Sequence, residues 1–234
     1  RRPQREGHRT RLDFNRQEKV SRLVGTVALL LVSLNSNIST ARPVSYTGGV
    51  TLIEESDRQS TSFLAHFTPA HQWSIGLRGE HNRDQDYALY TLHPTWLAKR
   101  WFGANHQGNL YLHGGVGVAT GVNGNPLGED IAAYGGVIAD WETRSLFASY
   151  RSRYLDAGHF GAQFVHAARA GFAPYIGKTG DLHTWLMLEI DHRPSERISM
   201  TATPLIRFFK GPVLLELGYT LSINQPLINF TYRL

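Results

Sequence analysis

The chain has 234 residues, no cysteine, 41% hydrophobic residues and a formal net charge of +5. This length suits one large β domain, the lack of cysteine excludes disulfides and thiolate metal sites, and no run of 18 apolar residues exists to form a membrane-spanning helix. The charge is local: residues 1–41 hold eight bases and three acids, and the rest of the chain holds sixteen of each.

Residues 1–18 are set aside as an upstream, disordered leader. A basic arm of this kind suits phosphate contacts, but the following segment explains it better, and no nucleic-acid partner is expected. Lys19 and Arg22 precede the apolar stretch Leu23 to Leu34, and Ser39-Thr40-Ala41 offers small residues at the third-last and last positions before a cut. A charged start, a short apolar core and small residues at the cleavage point make residues 19–41 a signal peptide. The mature protein is therefore expected to begin near Arg42, exported to the bacterial outer membrane.

From residue 42 to residue 234, alternation recurs in segments of about ten residues separated by turn clusters. The candidate strands are 50–55, 60–68, 72–82, 86–102, 108–119, 131–142, 144–154, 160–172, 183–192, 197–209, 213–222 and 227–233. Pro69-Ala70-His71, Asn82 to Asp86, Gly121 to Pro126, Asp156-Ala157-Gly158, Gly177 to Gly180, Arg193-Pro194-Ser195 and Gly211-Pro212 carry the turn chemistry. The chain is all-β. About twelve strands, within a range of 10–14, suit the even number of a closed antiparallel transmembrane β-barrel. Both chain ends would then lie on the periplasmic side.

The two faces can be assigned. Outward candidates include Phe63, Phe67, Trp73, Ile75, Leu77, Leu112, Val116, Leu186, Leu188, Ile206, Leu215 and Leu217. Aromatics near strand ends, namely Trp96, Trp101, Trp141, Tyr150, Tyr154 and Tyr232, suit interfacial girdles. Period 2 alone does not separate a barrel from a soluble sandwich. The signal segment, the terminal strand and the Gly and Ala residues on the outward face favour the barrel, with outer-membrane lipid as its partner.

The inner face collects charge. Arg78, Lys99, Arg151, Arg153, Arg169 and Arg207 face Glu80, Asp140, Glu189, Asp191 and Glu216. Charges in a narrow lumen must be paired or wetted, so a structural ion-pair network is expected, with no catalytic residue and no cofactor. Two alternatives stay open. His66, His93 and His113 on three inner strands suit a metal-handling envelope protein, because neutral imidazole is a common metal ligand. Glu189 and Asp191 beside His183 and His192 suit a barrel enzyme acting on lipid. No G-x-S-x-G elbow is present, and the Gly114-Gly115-Val116-Gly117 run precedes no helix.

Asn229-Phe230-Thr231-Tyr232-Arg233-Leu234 resembles the C-terminal assembly signal of bacterial outer-membrane proteins. That resemblance implies recognition by the outer-membrane assembly machinery through Phe230, Tyr232 and Leu234. Its final residue is leucine where the usual pattern has phenylalanine. Arg42 to Tyr46, Ser74 to Glu80, Ala173 to Gly177 and Gly180 to Met187 resemble a group of uncharacterised exported proteobacterial proteins over most of residues 42–234. The resemblance implies an envelope protein and assigns no activity. A narrow pore, an adaptor and an envelope-integrity component are the expected roles.

Overall fold

The computed structural model describes residues 43–178 and 180–234. The leader 1–18 and the signal segment 19–41 lie outside the described residues. Alternation of apolar and polar side chains produces twelve strands: β1 (Val50–Ser56), β2 (Ser60–Ala70), β3 (Trp73–Asn82), β4 (Tyr87–Phe102), β5 (His106–Gly121), β6 (Glu129–Thr143), β7 (Leu146–Asp156), β8 (Ala162–Phe172), β9 (His183–His192), β10 (Met200–Lys210), β11 (Val213–Thr220) and β12 (Gln225–Arg233). Each pairs antiparallel with its chain neighbour. β1 pairs with β12 through Thr51 opposite Arg233 and Ser56 opposite Ile228, so the sheet is a closed barrel. Closure leaves no exposed sheet edge.

Outside, Phe63, Trp73, Ile75, Leu77, Val116, Leu188, Met200 and Leu217 are exposed. The facing-in residues Thr51, Thr91, Glu189, Glu216 and Asn229 are buried. Apolar outside and polar inside is the wall of a transmembrane barrel, and a soluble fold of the same strands would need the reverse. Trp73 and Trp96 stack on the outer face with ring centroids 5.7 Å apart. Of the proposed girdle residues, Trp96, Trp101, Trp141, Tyr150 and Tyr154 are exposed, whereas Tyr232 is buried between Leu52 and Val213 at the β1–β12–β11 seam.

Two turns show why the chain reverses where it does. Thr143 Oγ1 accepts from the backbone N–H of Leu146 at 2.8 Å, which closes the tight β6–β7 link. Asn224 ends the β11–β12 turn at φ 55°, a left-handed conformation that asparagine tolerates better than most residues.

The ends differ. At the end holding residue 234, the segment before β1 bends into the lumen: Ser74 Oγ donates to the Pro43 carbonyl at 3.1 Å, and Val44 packs on Leu97 and Tyr111. At the opposite, distal end, a 3₁₀ turn (Gly158–Phe160) folds Phe160 inward against Tyr87, centroids 5.1 Å apart, within a cluster that includes Leu89 and Leu155.

Candidate functional site

Facing-in charges on seven strands build one continuous chain of opposite signs. Arg207 Nε on β10 donates to Glu216 on β11 at 2.6 Å. Glu216 also accepts from Arg169 Nη1 on β8, at 2.8 Å to each oxygen, and from Asn229 Nδ2 on β12 at 2.7 Å. Arg169 turns its Nε and Nη2 to Glu189 on β9 at 3.0 and 2.5 Å. Glu189 lies 3.6 Å from Arg151 on β7, and Arg151 lies 3.5 Å from Glu55 on β1, the strand across the barrel. Glu55 is 3.6 Å from Arg78 on β3, whose Nε donates to Glu80 at 3.1 Å. Arg153 on β7 closes the chain with a two-pronged bond to Glu80 at 2.7 and 2.8 Å. A guanidinium fork on a carboxylate is among the strongest side-chain hydrogen bonds.

This chain divides the lumen into two cavities. One, about 220 Å³, includes Glu142, Phe147, Trp185, Phe209 and Leu214 in its lining and lies toward the end with residue 234. The other, about 190 Å³, reaches the distal residues Asp57, Gln163 and Arg193. Both are lined by Pro43, Ile53, Glu55, Ile138, Arg151 and Asn229. Their charges differ in sign: the first has five acids against three arginines, the second four arginines (Arg78, Arg151, Arg153, Arg193) against Glu55 and Asp57.

The distal mouth is latched. Arg193 donates to Asp57 at 2.6 Å and to Asp191 at 3.0 Å, and also to Gln59. Arg58 from the same β1–β2 turn reaches Glu196 at 2.8 Å. Burial pushes the Asp57 carboxyl up, but Arg193 and the backbone N–H groups of Ser60 and Gln59 outweigh it and hold it below the ordinary carboxylate range. Burial lowers Arg193, and Asp57 and Asp191 more than offset this, so its proton is held more tightly than usual. Glu196 moves the other way, raised chiefly by burial.

Arg78, Glu80, Arg151, Arg153, Arg169, Glu189, Arg207 and Glu216 all belong to the chain of charges. Asp140 accepts from Asn109 Nδ2 at 2.6 Å, and Asp191 joins the latch. Lys99 is a correction. A bulge between Leu97 and Lys99 sets Lys99 opposite the outward Leu110 and turns Arg100 inward, where its Nε donates to Asn109 at 2.6 Å. One extra residue in a strand flips every later side chain to the other face. Sequence reasoning missed Glu55, Asp57, Arg58, Arg193 and Glu196, which sit at strand ends or in turns.

His93 and His113 do meet, with ring centroids 5.6 Å apart. His66, His93 and His113 each lie opposite a glycine: His66 and His93 flank Gly76, and His113 faces Gly136. A Cβ on Gly76 would lie 2.6 Å from that of His66, and one on Gly136 would lie 2.5 Å from His113 Nε2, so these glycines make room for the rings. His93 Nδ1 bonds the Tyr134 hydroxyl at 2.5 Å and His66 Nδ1 the Ser74 hydroxyl at 3.1 Å. His66 Nε2 and His113 Nδ1 have no partner among the described residues. No group of three or more His, Asp or Glu placed to hold a metal occurs among the described residues. Glu189 and Asp191 are both held by arginines, and the alternation of β9 puts His192 on the outer face with Leu186 and Leu188.

No family model matches the chain, and no curated protein matches it. The resemblance to exported proteobacterial proteins therefore rests on its motifs alone. Among solved structures, a KdgM porin in complex with disordered oligogalacturonate aligns with a TM-score of 0.44 at 7% identity, over 79% of this chain and 96% of that one. A chain from work on in-meso crystallization of membrane proteins aligns with a TM-score of 0.45 at 11% identity, over 81% and 83%.

Proposed function

We propose that the protein is a non-catalytic outer-membrane barrel whose lumen is a narrow, ion-paired pore for small solutes. The carrying observation is the unbroken series of opposite charges from Arg207 to Arg153, which crosses the lumen between β7 and β1 and between β7 and β3. Twelve strands enclose a lumen too small for a wide aqueous channel once side chains fill it. The carboxylates that an enzyme would use are engaged by arginines. In this reading the mature chain begins near Arg42, residue 234 lies on the periplasmic side, and Phe230, Tyr232 and Leu234 engage the assembly machinery.

Reconstitution in planar bilayers tests it. A small, weakly selective conductance is expected, together with heat-modifiable gel mobility and fractionation with outer membranes. A correctly folded barrel with no conductance would leave an adaptor or integrity role instead. Release of acyl chains from added lipid would overturn the non-catalytic reading. N-terminal sequencing of envelope-purified protein is expected to start near Arg42, and an intact 20–40 segment would refute the signal peptide.

A further inference from the structure

The chain of charges is uneven. Five of its contacts are 3.1 Å or shorter, but Glu189–Arg151, Arg151–Glu55 and Glu55–Arg78 measure 3.6, 3.5 and 3.6 Å. Hydrogen bonds between charged groups are normally shorter than about 3.2 Å, so these three are ion pairs without a bond. The loose links meet at Glu55 and Arg151, and both of these side chains line both cavities. They are also the most exposed members of the chain, at 35% and 36%. Glu80, Glu189 and Glu216 are 4% exposed or less.

We propose that this joint is a small-oxyanion site, in which a phosphate or carboxylate group displaces Glu55 from Arg78 and Arg151. Glu55 is a tethered carboxylate held at two guanidiniums by charge alone. A free oxyanion is not bound by the geometry of β1 and can approach either fork to within a hydrogen bond, which a planar guanidinium rewards. Among the described residues Arg78 Nη1 has no nearer ion-pair partner than Glu55, while its Nε and Nη2 are already fixed on Glu80 and on Ser62 at 2.8 Å. The guanidinium is thus positioned with one edge available. The distal cavity presents Arg78, Arg151, Arg153 and Arg193 at its lining, with Glu80 and Asp191 behind them holding Arg78, Arg153 and Arg193, and its volume of about 190 Å³ holds a small anion with its water. A divalent cation would meet those four arginines and is disfavoured. Displacing Glu55 also breaks the Arg151–Glu55 ion pair between β7 and β1, so the same event joins the two cavities.

Purified full-length barrel in detergent tests the site without requiring conductance. Heat resistance of the compact gel form and calorimetry would be read with inorganic phosphate, with acetate, and with chloride at matched ionic strength. Phosphate and acetate are expected to stabilise the wild type over chloride. In Glu55→Gln the competing carboxylate is gone, and binding is expected to tighten about tenfold, which corresponds to about 1.4 kcal/mol. Arg151→Gln is expected to abolish the effect and Arg151→Lys to keep a weaker one. If Arg151→Gln does not fold, Glu55→Gln decides alone. Absence of oxyanion stabilisation in both wild type and Glu55→Gln overturns the proposal, as does stabilisation by zinc that His113→Ala removes. Failed binding leaves the pore reading standing, and failed conductance leaves the site standing.

Discussion

The lumen has two unlike walls. Strands β2 to β6 present neutral groups, including His66, Tyr87, Leu89, His93, Tyr111, His113 and Tyr134, with Arg78, Glu80, Arg100, Asp140 and Glu142 among their charges. Strands β7 to β11 and β1 present most of the ions. The neutral wall is also the taller one: β4 and β5 have 16 residues and β6 has 15, whereas β11 has 8 and β1 has 7. The neutral wall fills its space locally, with rings lying over glycines one strand away. The charged wall fills its space at a distance, because an arginine on β7 is long enough to reach β1 or β3. A narrow barrel can be plugged either way, but only the charged plug leaves side chains whose partners can be exchanged.

The largest effect is expected where the charged wall is tightest. Arg169→Ala would leave Glu189 and Glu216 without their shared guanidinium in a buried site. Removing one partner of a buried ion pair costs about 3–5 kcal/mol, and urea unfolding followed by loss of heat-modifiable mobility would measure it. A change below about 1 kcal/mol would mean that water, not Arg169, solvates the two acids.

Next come the outer surfaces of both walls, which face lipid alike. Leu188→Arg on β9 and Leu77→Arg on β3 are each expected to cost about 2–4 kcal/mol if they lie near the bilayer midplane. Both leucines are exposed on the outer face. Tolerance of arginine at both, measured by assembly into membranes and by unfolding, would show that the surface is not against lipid.

The bulge in β4 sets a third test on the neutral wall. Arg100→Ala removes a 2.6 Å bond to Asn109 from a charged donor, and bonds of that kind contribute about 1.5–3 kcal/mol. Lys99→Ala, on the outward side, is expected to change stability by less than about 0.5 kcal/mol. Reversal of the two values would put the strand back in unbroken register.

That pair of residues also shows where the sequence stops being legible. All twelve strands were readable because lipid outside and a polar lumen inside force a period of two, as in Val213 to Thr220 and Leu227 to Arg233. A bulge inserts one residue, and since Lys99 and Arg100 are both basic, polarity does not reveal which one points inward. Glu54 and Glu55 pose the same ambiguity in β1. Asp57, Arg58, Arg193 and Glu196 were missed for another reason: alternation ends with the strand, and the turns that fold over the mouth obey no period. The glycines opposite His66, His93 and His113 become meaningful only once pairing register is known.

A smaller effect than that of Arg100→Ala belongs to the distal latch, where the two walls are tied together across the mouth. Asp57 Oδ1 accepts from the backbone N–H groups of Gln59 and Ser60 at 2.9 and 2.8 Å, while Oδ2 faces Arg193 at 2.6 Å. Because the folded carboxyl is held below its ordinary value of about 3.9, its stabilisation is fully present above that value. It is lost as pH falls through the lowered folded value. Glu196 is raised, so its contribution is complete below its ordinary value and is lost as pH rises through the folded one. The two opposed slopes place the strongest latch near pH 4, with weakening in both directions. Hydrogen exchange at the Gln59 and Ser60 amides reads the latch directly, and protection is expected to peak there. Asp57→Asn keeps an oxygen for both amides and gives up the charge toward Arg193, so it is expected to cost about 1 kcal/mol and to remove the acid limb of the profile. Protection that rises steadily from pH 7 down to pH 2 would show that Glu196, and not Asp57, governs the mouth.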